Sequence, residues 1–366
     1  MLIKVKNVFA VLFMFSLVLI LTACFNQNSD NVTTALQEFT TSETYSSTQA
    51  EITSETAAAT QFTSPATVAT EPVTTAIETS APTQPPVSTT KAPSTAPVEP
   101  STAKFEIVTG APDPGAKTYT GYEPLQQVKF TVLDPGNSRG LSTKAMGFGF
   151  GIGKNGAPPV ESINNQKFFD RYDALALDRV SAGKVLHLTF DCGYENGFTA
   201  KILDTLKAKH VQASFFCTLT FIKSEPALVA RMIKEGHVVG NHSSTHPVFP
   251  TITRTQMALE IQNCDNYLRQ NFGYSAPYFR FPEGSYSTSS LDLVQSLGYM
   301  SVFWSVAYAD WDPAKQLGTQ FAFDTVTSRL HPGAVILLHA VSKDNTAALG
   351  SIIDWARGQG YRFVSL

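Results

Sequence analysis

Polar residues that could together hydrolyse an amide follow a series of short apolar runs in the second half of the chain. Amide hydrolysis needs a base to activate water, a stabiliser for the oxyanion and an acid to protonate the amine that leaves. We expect Asp191 to be the base, held ionised by Arg280. His339 is the expected general acid, with Asp310 raising its pKa and fixing its tautomer.

Two further histidines have the spacing of a metal site. His242 and His246 are four residues apart after a predicted strand, and as neutral imidazoles they could face one divalent ion. The alternative is a loop of hydrogen-bonded histidines that holds no metal. The spacing alone leaves both interpretations open.

The elements that must position these groups alternate regularly after residue 181. Short apolar runs predict strands at 185–190, 213–217, 237–240, 278–280, 300–304, 334–338 and 362–364. Amphipathic stretches predict helices at 198–208, 226–235, 253–271, 289–297, 321–330 and 345–357. Glycines follow four of these helices, at Gly236, Gly273, Gly298 and Gly360. The alternation predicts one parallel α/β domain, either a barrel or a doubly wound sheet, with the polar groups at one face.

The sequences around the polar groups resemble the ordered motifs of the polysaccharide deacetylases, the NodB-homology carbohydrate esterases of family 4. The motifs are Thr189-Phe190-Asp191-Cys192-Gly193, His242-Ser243-Ser244-Thr245-His246, Arg280-Phe281-Pro282-Glu283-Gly284, Asp310-Trp311 and Leu337-Leu338-His339. The resemblance covers residues 184–366 and implies a distorted seven-stranded (β/α) barrel. Pro282, Tyr194, Trp304 and Trp311 are the expected substrate-binding residues, although each aromatic ring could equally belong to the core.

Within that family the chain resembles the delta-lactam-biosynthetic de-N-acetylases. The similar segments are 165–175, 194–197, 303–311, 331–334 and 342–345. Those enzymes remove the N-acetyl group of muramic acid in peptidoglycan, a step toward the muramic δ-lactam of spore cortex. Ala307 replaces the Asp that opens the fourth motif of other deacetylases, which separates the chain from chitin and xylan deacetylases. The alternatives are a peptidoglycan N-acetylglucosamine or chitin-type deacetylase and a non-catalytic wall-binding lipoprotein.

Position 192 departs from the wider family, in which a second Asp is the third metal ligand. Cys192 has three interpretations. It is a small buried thiol, with a metal held weakly by two histidines or absent; it is a thiolate ligand of zinc; or it forms a disulfide with Cys217 in an oxidising exterior. The implied cofactor is therefore a divalent metal, zinc first, weakly held or absent.

The N-terminus is typical of a bacterial lipoprotein signal. Lys4 and Lys6 precede an uncharged, mostly apolar run at 8–20, and the sequence Leu21-Thr22-Ala23-Cys24 resembles a lipobox. The resemblance implies that residues 1–24 are the signal and that lipid on Cys24 anchors the protein to the outer face of the cytoplasmic membrane. An uncleaved anchor helix, or plain secretion, is the alternative.

Composition separates the rest of the chain into parts. Charged residues make up only 16% of the chain, against roughly 25% in globular proteins. Residues 25–103, rich in Ser, Thr and Pro, cause this deficit and cannot bury a core, so they are the expected disordered tether. An N-terminal extension (104–181) would then pack on the deacetylase domain (182–366).

The overall charge bears on partners. A formal net charge of −3 gives no basic surface for nucleic acid. The expected partners are peptidoglycan glycan strands and the membrane, the latter through the lipid on Cys24. We expect the protein to be a monomer.

Overall fold

The computed structural model of the protein describes residues 105–107 and 117–366. The predicted signal with Cys24 and the predicted tether lie outside these residues. Across the described ranges, none of the helices combines the length and the apolar character needed to cross a membrane.

Strands and helices alternate from residue 174 to the end. The strands are β1 (Phe105–Ile107), β2 (Val128–Phe130), β3 (Ala174–Leu175), β4 (Val185–Cys192), β5 (Ser214–Cys217), β6 (Val238–Asn241), β7 (Tyr278–Phe279), β8 (Met300–Val302), β9 (Ala334–His339) and β10 (Arg362–Phe363). The helices are α1 (Val160–Phe169), α2 (Thr199–Ala208), α3 (Leu219–Ser224), α4 (Pro226–Lys234), α5 (Arg254–Phe272), α6 (Thr288–Ser296), α7 (Thr319–Arg329) and α8 (Lys343–Gly358). Short 3₁₀ turns lie at Asp170–Tyr172, Phe249–Thr251 and Pro282–Gly284.

The sheet is a distorted parallel barrel, as the sequence predicts. Strands β4 to β8 pair in chain order, and β9 pairs with the other side of β4 along most of its length. An isolated parallel bridge between Val306 and Ile336 joins the segment after β8 to β9. Strand β10 pairs with the beginning of β4, and β1 with β2 forms a separate antiparallel pair.

Local sequence explains where the elements form. Strand β4 is buried along its whole length, as expected for a strand covered on both faces, and it has neighbours on both sides. The four glycines predicted to end helices do follow them, and all four have positive φ. At Gly273 a Cβ atom would lie 2.3 Å from the carbonyl oxygen of Glu123, so this position also requires the absence of a side chain.

Part of the sheet was not predicted. Strand β3 pairs in parallel with β8 and has only two residues, so it is too short to show a periodicity. Helices α1 and α3 were not predicted either. Helix α1 overlaps the first half of the segment 165–175.

Two of the described segments before β4, at Val128 and Phe148, contact the barrel. The side chain of Asn266 on α5 makes two hydrogen bonds of 2.8 Å with the backbone of Val128. The ring of Phe148 contacts that of Phe303, with 4.8 Å between their centroids. These contacts place a glycine-rich segment (147–151) against the barrel, with Phe150 beside the polar groups.

Candidate active site

Asp191 lies near the carboxyl end of β4 and is held by Arg280. Nη1 of Arg280 donates to Oδ1 of Asp191 at 2.7 Å, and both side chains are buried. Burial by itself would raise the pKa of Asp191, but the positive charge of Arg280, with smaller effects of His242 and His339, holds that pKa below its ordinary value. The carboxylate is therefore ionised at neutral pH and oriented, as a general base requires.

Arg280 is fixed by several parts of the barrel. Its Nε donates to the carbonyl oxygen of Val302 at 2.9 Å, and Nη2 donates to Oγ1 of Thr189 at 2.9 Å. Its guanidinium lies over the ring of Phe216, 4.0 Å from the centroid. Gly240 makes room for this ring, because a Cβ atom there would lie 2.5 Å from it.

His339, the last residue of β9, is held by Asp310. Nδ1 of His339 lies 2.7 Å from Oδ1 of Asp310, and the backbone amide of His339 donates to Oδ2 at 2.8 Å. Because a carboxylate can only accept, Nδ1 carries the proton and Nε2 is free to exchange one. Asn345 also donates to Oδ2 of Asp310 and accepts in turn from the hydroxyl of Tyr308 at 2.5 Å.

The surroundings shift the pKa of His339 in the direction a general acid needs. Burial would lower its pKa, but the hydrogen bond and the charge of Asp310, together with the charge of Asp191, raise it above the ordinary value of histidine. Asp191 and His339 are register partners on the paired strands β4 and β9. A carboxyl group with a lowered pKa thus lies beside an imidazole with a raised one.

His242 and His246, the two histidines predicted to bind a metal, lie on the loop after β6. Nδ1 of His242 lies 2.9 Å from the carbonyl oxygen of Arg280, so it donates, and Nε2 is 3.7 Å from Oδ2 of Asp191. Burial, opposed by the charge of Asp191, lowers the pKa of His242 to about 4. The neutral imidazole is the form that can bind a metal. The ring of His246 meets that of His242 with 4.9 Å between centroids.

Helix α5 holds this loop in place. Oε2 of Glu260 accepts hydrogen bonds from the backbone amides of Ser244 at 2.9 Å and Thr245 at 2.7 Å. Oγ of Ser243 accepts from the amide of His246 at 3.0 Å, and φ is positive at both of these residues. The loop therefore has a defined shape that is unusual for residues other than glycine.

A three-ligand metal site is not assembled from these side chains. Within residues 105–107 and 117–366, no three His, Cys, Asp or Glu side chains are grouped so that they could hold a metal ion. Cys192 is fully buried in the hydrophobic cluster and is absent from the lining of the cavity described next. The donors present do not fit a His-His-Cys zinc site, and His242 and His246 are the candidates that remain.

The cysteines of the barrel are free thiols. Cys192 and Cys217 are register partners on β4 and β5, but no disulfide joins them. Cys264, on α5, is also free and buried. Burial raises the pKa of Cys217 and of Cys264 well above the ordinary value, so both stay protonated at neutral pH.

A cavity of about 1160 Å³ opens over these groups. Asp191, His242, His246 and His339 line it together. The aromatic residues predicted to bind substrate, Tyr194, Trp304 and Trp311, also line it, whereas Pro282 is buried and only its neighbours Glu283 and Gly284 reach the cavity.

Exposure separates the three aromatic residues. Tyr194 is 51% exposed and Trp311 is 58% exposed, so both rings are available for stacking on a sugar. Trp304 is almost fully buried and packs against Phe148, at the base of the cavity wall.

The sequence did not assign roles to several residues that support the site, although Thr189 and Asn345 lie in segments that resemble the family. Thr189, Phe216 and Gly240 support Arg280, and Asn345 supports Asp310 across 35 positions of sequence. Arg329 lines the cavity from the end of α7. Their residue types are common, and only the fold shows that they meet.

Comparisons with known proteins agree with this geometry. The family model described as polysaccharide deacetylase matches residues 178–302. Peptidoglycan-N-acetylmuramic acid deacetylase PdaA of Bacillus subtilis is 39% identical over 227 residues, which is 62% of this chain and 86% of that protein. The solved structure of PdaA, described as a family 4 carbohydrate esterase, aligns with this chain at a TM-score of 0.59. The alignment covers 62% of this chain and 96% of the PdaA chain.

Two other relatives are similar over the same part of the chain. An uncharacterized 30.6 kDa protein of Geobacillus stearothermophilus is 41% identical over 230 residues, 63% of this chain and 86% of the relative. A peptidoglycan-N-acetylglucosamine deacetylase of Bacillus cereus is 33% identical over 183 residues, 49% of this chain and 66% of the relative.

Proposed function

This chain belongs to the polysaccharide deacetylase family, and from that membership we propose that it hydrolyses the N-acetyl group of N-acetylmuramic acid in peptidoglycan glycan. The observation that carries the proposal is the pairing of Asp191 with His339 at the cavity. The choice of muramic acid rests on the similarity to PdaA, whose name states that substrate.

The geometry suits a base and an acid acting on one amide. Asp191 takes a proton from water as the water oxygen bonds to the acetyl carbonyl carbon. The bond from that carbon to nitrogen then breaks, and Nε2 of His339 gives its proton to the amine that leaves. The products are acetate and a free amine on the sugar. Arg280 and Asp310 stay in place and hold the two catalytic groups.

Deacetylases of this family are generally metal-dependent, and the proposed metal here is zinc. Its proposed ligands in this chain are His242 and His246. The imidazole of His242 is neutral at pH 7 and lies beside Asp191, and the ring of His246 contacts that of His242. Two protein ligands predict weak binding, because structural and catalytic zinc sites ordinarily have at least three.

The proposal includes where the enzyme works. Residues 1–24 would be a signal that ends in lipidation of Cys24, and residues 25–103 would tether residues 182–366 to the outer face of the bacterial cytoplasmic membrane. Residues 104–181 would be the extension that packs on the barrel. A lipid-anchored monomer of this kind would reach glycan strands in the wall.

A second candidate is a peptidoglycan N-acetylglucosamine or chitin-type deacetylase. The similarity to the Bacillus cereus enzyme supports it, since the same fold and site serve that substrate. A non-catalytic wall-binding lipoprotein is the third candidate, and the presence of Asp191, Arg280 and His339 in one site counts against it.

Mass spectrometry of treated peptidoglycan separates these candidates. The full chain and its Asp191→Asn variant would each be incubated with glycan strands with and without stem peptides, in the presence and absence of chelator. Free amine or lactam on muramic residues, made only by the unmodified chain, supports the proposal. Deacetylation of glucosamine alone overturns it in favour of the second candidate, and no acetate from any glycan favours the third.

A further inference from the structure

Arg329 is a positive charge held at the wall of the catalytic cavity. It is the last residue of α7 and is partly buried. Its Nη1 donates to the carbonyl oxygen of Ala307 at 2.6 Å, and both residues line the cavity. The backbone contact fixes one side of the guanidinium and leaves the remaining N–H groups free to bind a ligand.

No carboxylate of the described chain neutralises this charge. Arg280, the other arginine of the site, is paired with Asp191, but Arg329 forms no ion pair with any described residue. Among the residues that line the cavity it is also the sole Arg or Lys. Glu283, an exposed lining residue, has the opposite charge and is not paired with Arg329.

The proposed substrate supplies a matching anion. Muramic acid differs from glucosamine by a lactyl ether on C3, beside the C2 atom that carries the acetamido group. The lactyl carboxyl is ionised at neutral pH whenever no stem peptide is attached to it. An acetamido group placed at Asp191 and His339 therefore brings this carboxylate into the same cavity as Arg329. A guanidinium is the side chain best suited to bind a carboxylate through two hydrogen bonds.

We propose that Arg329 is the specificity-determining residue that binds the lactyl carboxylate of a muramic residue during deacetylation. This inference rests on the proposed function. The enzyme would then favour glycan with free lactyl carboxylates over glycan in which an amide masks them.

Paired substrates test the assignment in the full chain. One muramic oligosaccharide keeps its lactyl carboxylate, and the other carries a neutral lactyl carboxamide of nearly the same shape. Acetate release gives kcat and KM for the unmodified chain and for Arg329→Gln, Arg329→Lys and Arg357→Gln. Arg357 is a matched control, because it lies in the last turn of α8, is exposed, and also donates to a backbone carbonyl.

We expect the unmodified chain and Arg357→Gln to favour the carboxylate by about 10- to 100-fold in kcat/KM, the range for a hydrogen bond to a charged group. Arg329→Gln should remove this preference, chiefly because its KM for the carboxylate substrate rises to that for the carboxamide. Arg329→Lys should keep part of the preference for the carboxylate, since a lysine retains the charge but not the paired donors.

Three results would overturn the assignment. The unmodified chain could treat both muramic substrates alike, a result that needs no variant to fold. Arg329→Gln could retain the full preference, or it could lose activity equally on both substrates, as a structural role would produce. Release of acetate from N-acetylglucosamine oligomers but from neither muramic substrate would instead overturn the proposed function. The assignment of Arg329 would then fail as well, because the substrate would carry no lactyl carboxylate.

Discussion

Asp191 and His339 lie side by side on two adjacent parallel strands, as register partners on β4 and β9. The same backbone hydrogen bonds that join these strands therefore set the distance between the proposed base and the proposed acid. A shift of either strand by one residue would turn one of the two side chains away from the cavity.

The pKa shifts predict a broad plateau in the pH dependence of activity. Asp191 must be ionised and its pKa is lowered, so activity should persist to acidic pH. His339 must be protonated and its pKa is raised above the ordinary value, so activity should fall as the pH rises through that raised pKa.

Replacement of Asp310 with Asn should move the alkaline limit of this profile. The variant removes the charge that raises the pKa of His339, so we expect the loss of activity to begin at lower pH and kcat to fall by about 10²- to 10⁴-fold. Profiles of kcat/KM against pH, with NMR titration of His339, measure both effects. An unchanged alkaline limit would contradict the role given to Asp310.

Replacement of Asp191 with Asn should affect both catalysis and stability. We expect kcat to fall by about 10²- to 10⁴-fold, because the base is lost. The free energy of unfolding should fall by about 3 to 5 kcal/mol, because Arg280 keeps its charge in a buried site without a charged partner. Activity assays and urea denaturation measure the two changes.

The matched control for stability is Asp204→Asn. Asp204 pairs with Arg231 at 2.7 Å but is 69% exposed, so its loss should cost no more than about 1 kcal/mol. Equal destabilisation by the two variants would show that the buried pair does not stabilise the barrel as inferred.

Replacement of Cys192 with Ala should leave zinc content unchanged, since its side chain is buried away from the cavity. Turnover should stay within about threefold, because the thiol touches no reacting atom. His246→Gln should lower the zinc content instead. Equilibrium dialysis with zinc measures binding directly, and Cys264→Ala, another buried free thiol, is the control. A loss of zinc in Cys192→Ala alone would restore the thiolate-ligand interpretation.

Replacement of Gly240 with Ala should displace the ring that supports Arg280. The added Cβ would lie 2.5 Å from the ring of Phe216, which lies against Arg280, so the ring must move. We expect a loss of about 1 to 3 kcal/mol in the free energy of unfolding, together with lower kcat.

Gly350→Ala is the control for this change, because Gly350 lies within helix α8 and its Cβ would meet only side-chain atoms of Lys209 and Thr205, at 3.6 Å or more. There we expect up to about 1 kcal/mol of stabilisation from the higher helix propensity of alanine. If Gly240→Ala behaved in the same way, Phe216 would have no role in positioning Arg280.

Replacement of Trp311 with Ala should weaken glycan binding. Its ring is exposed on the cavity, so we expect KM to rise by about 3- to 10-fold with little change in kcat or thermal stability. Trp355→Ala, at a partly exposed position on α8 away from the cavity, should leave KM unchanged. Loss of stability without a change in KM would place Trp311 among structural residues.

The fold and the central groups of the site could be predicted because their signals are local. Strands such as β4 are continuous apolar runs, and Asp191 and His339 occur directly at strand ends within short motifs. Asn345 and Arg329 could not be predicted in the same way. Each meets its partner only after α7 and α8 pack on the barrel, and neither lies in a motif that specifies the contact.

The position of Arg280 couples chemistry to folding. Its guanidinium contacts atoms from β4, β5 and β8, so its placement requires those strands to be assembled around it. In a chain whose barrel is incomplete, Arg280 is not positioned to orient Asp191, and β9 does not yet place His339 beside it. Folding intermediates of this hydrolase should therefore be catalytically silent, and the first acetate released by a refolding chain should report the arrival of the native state.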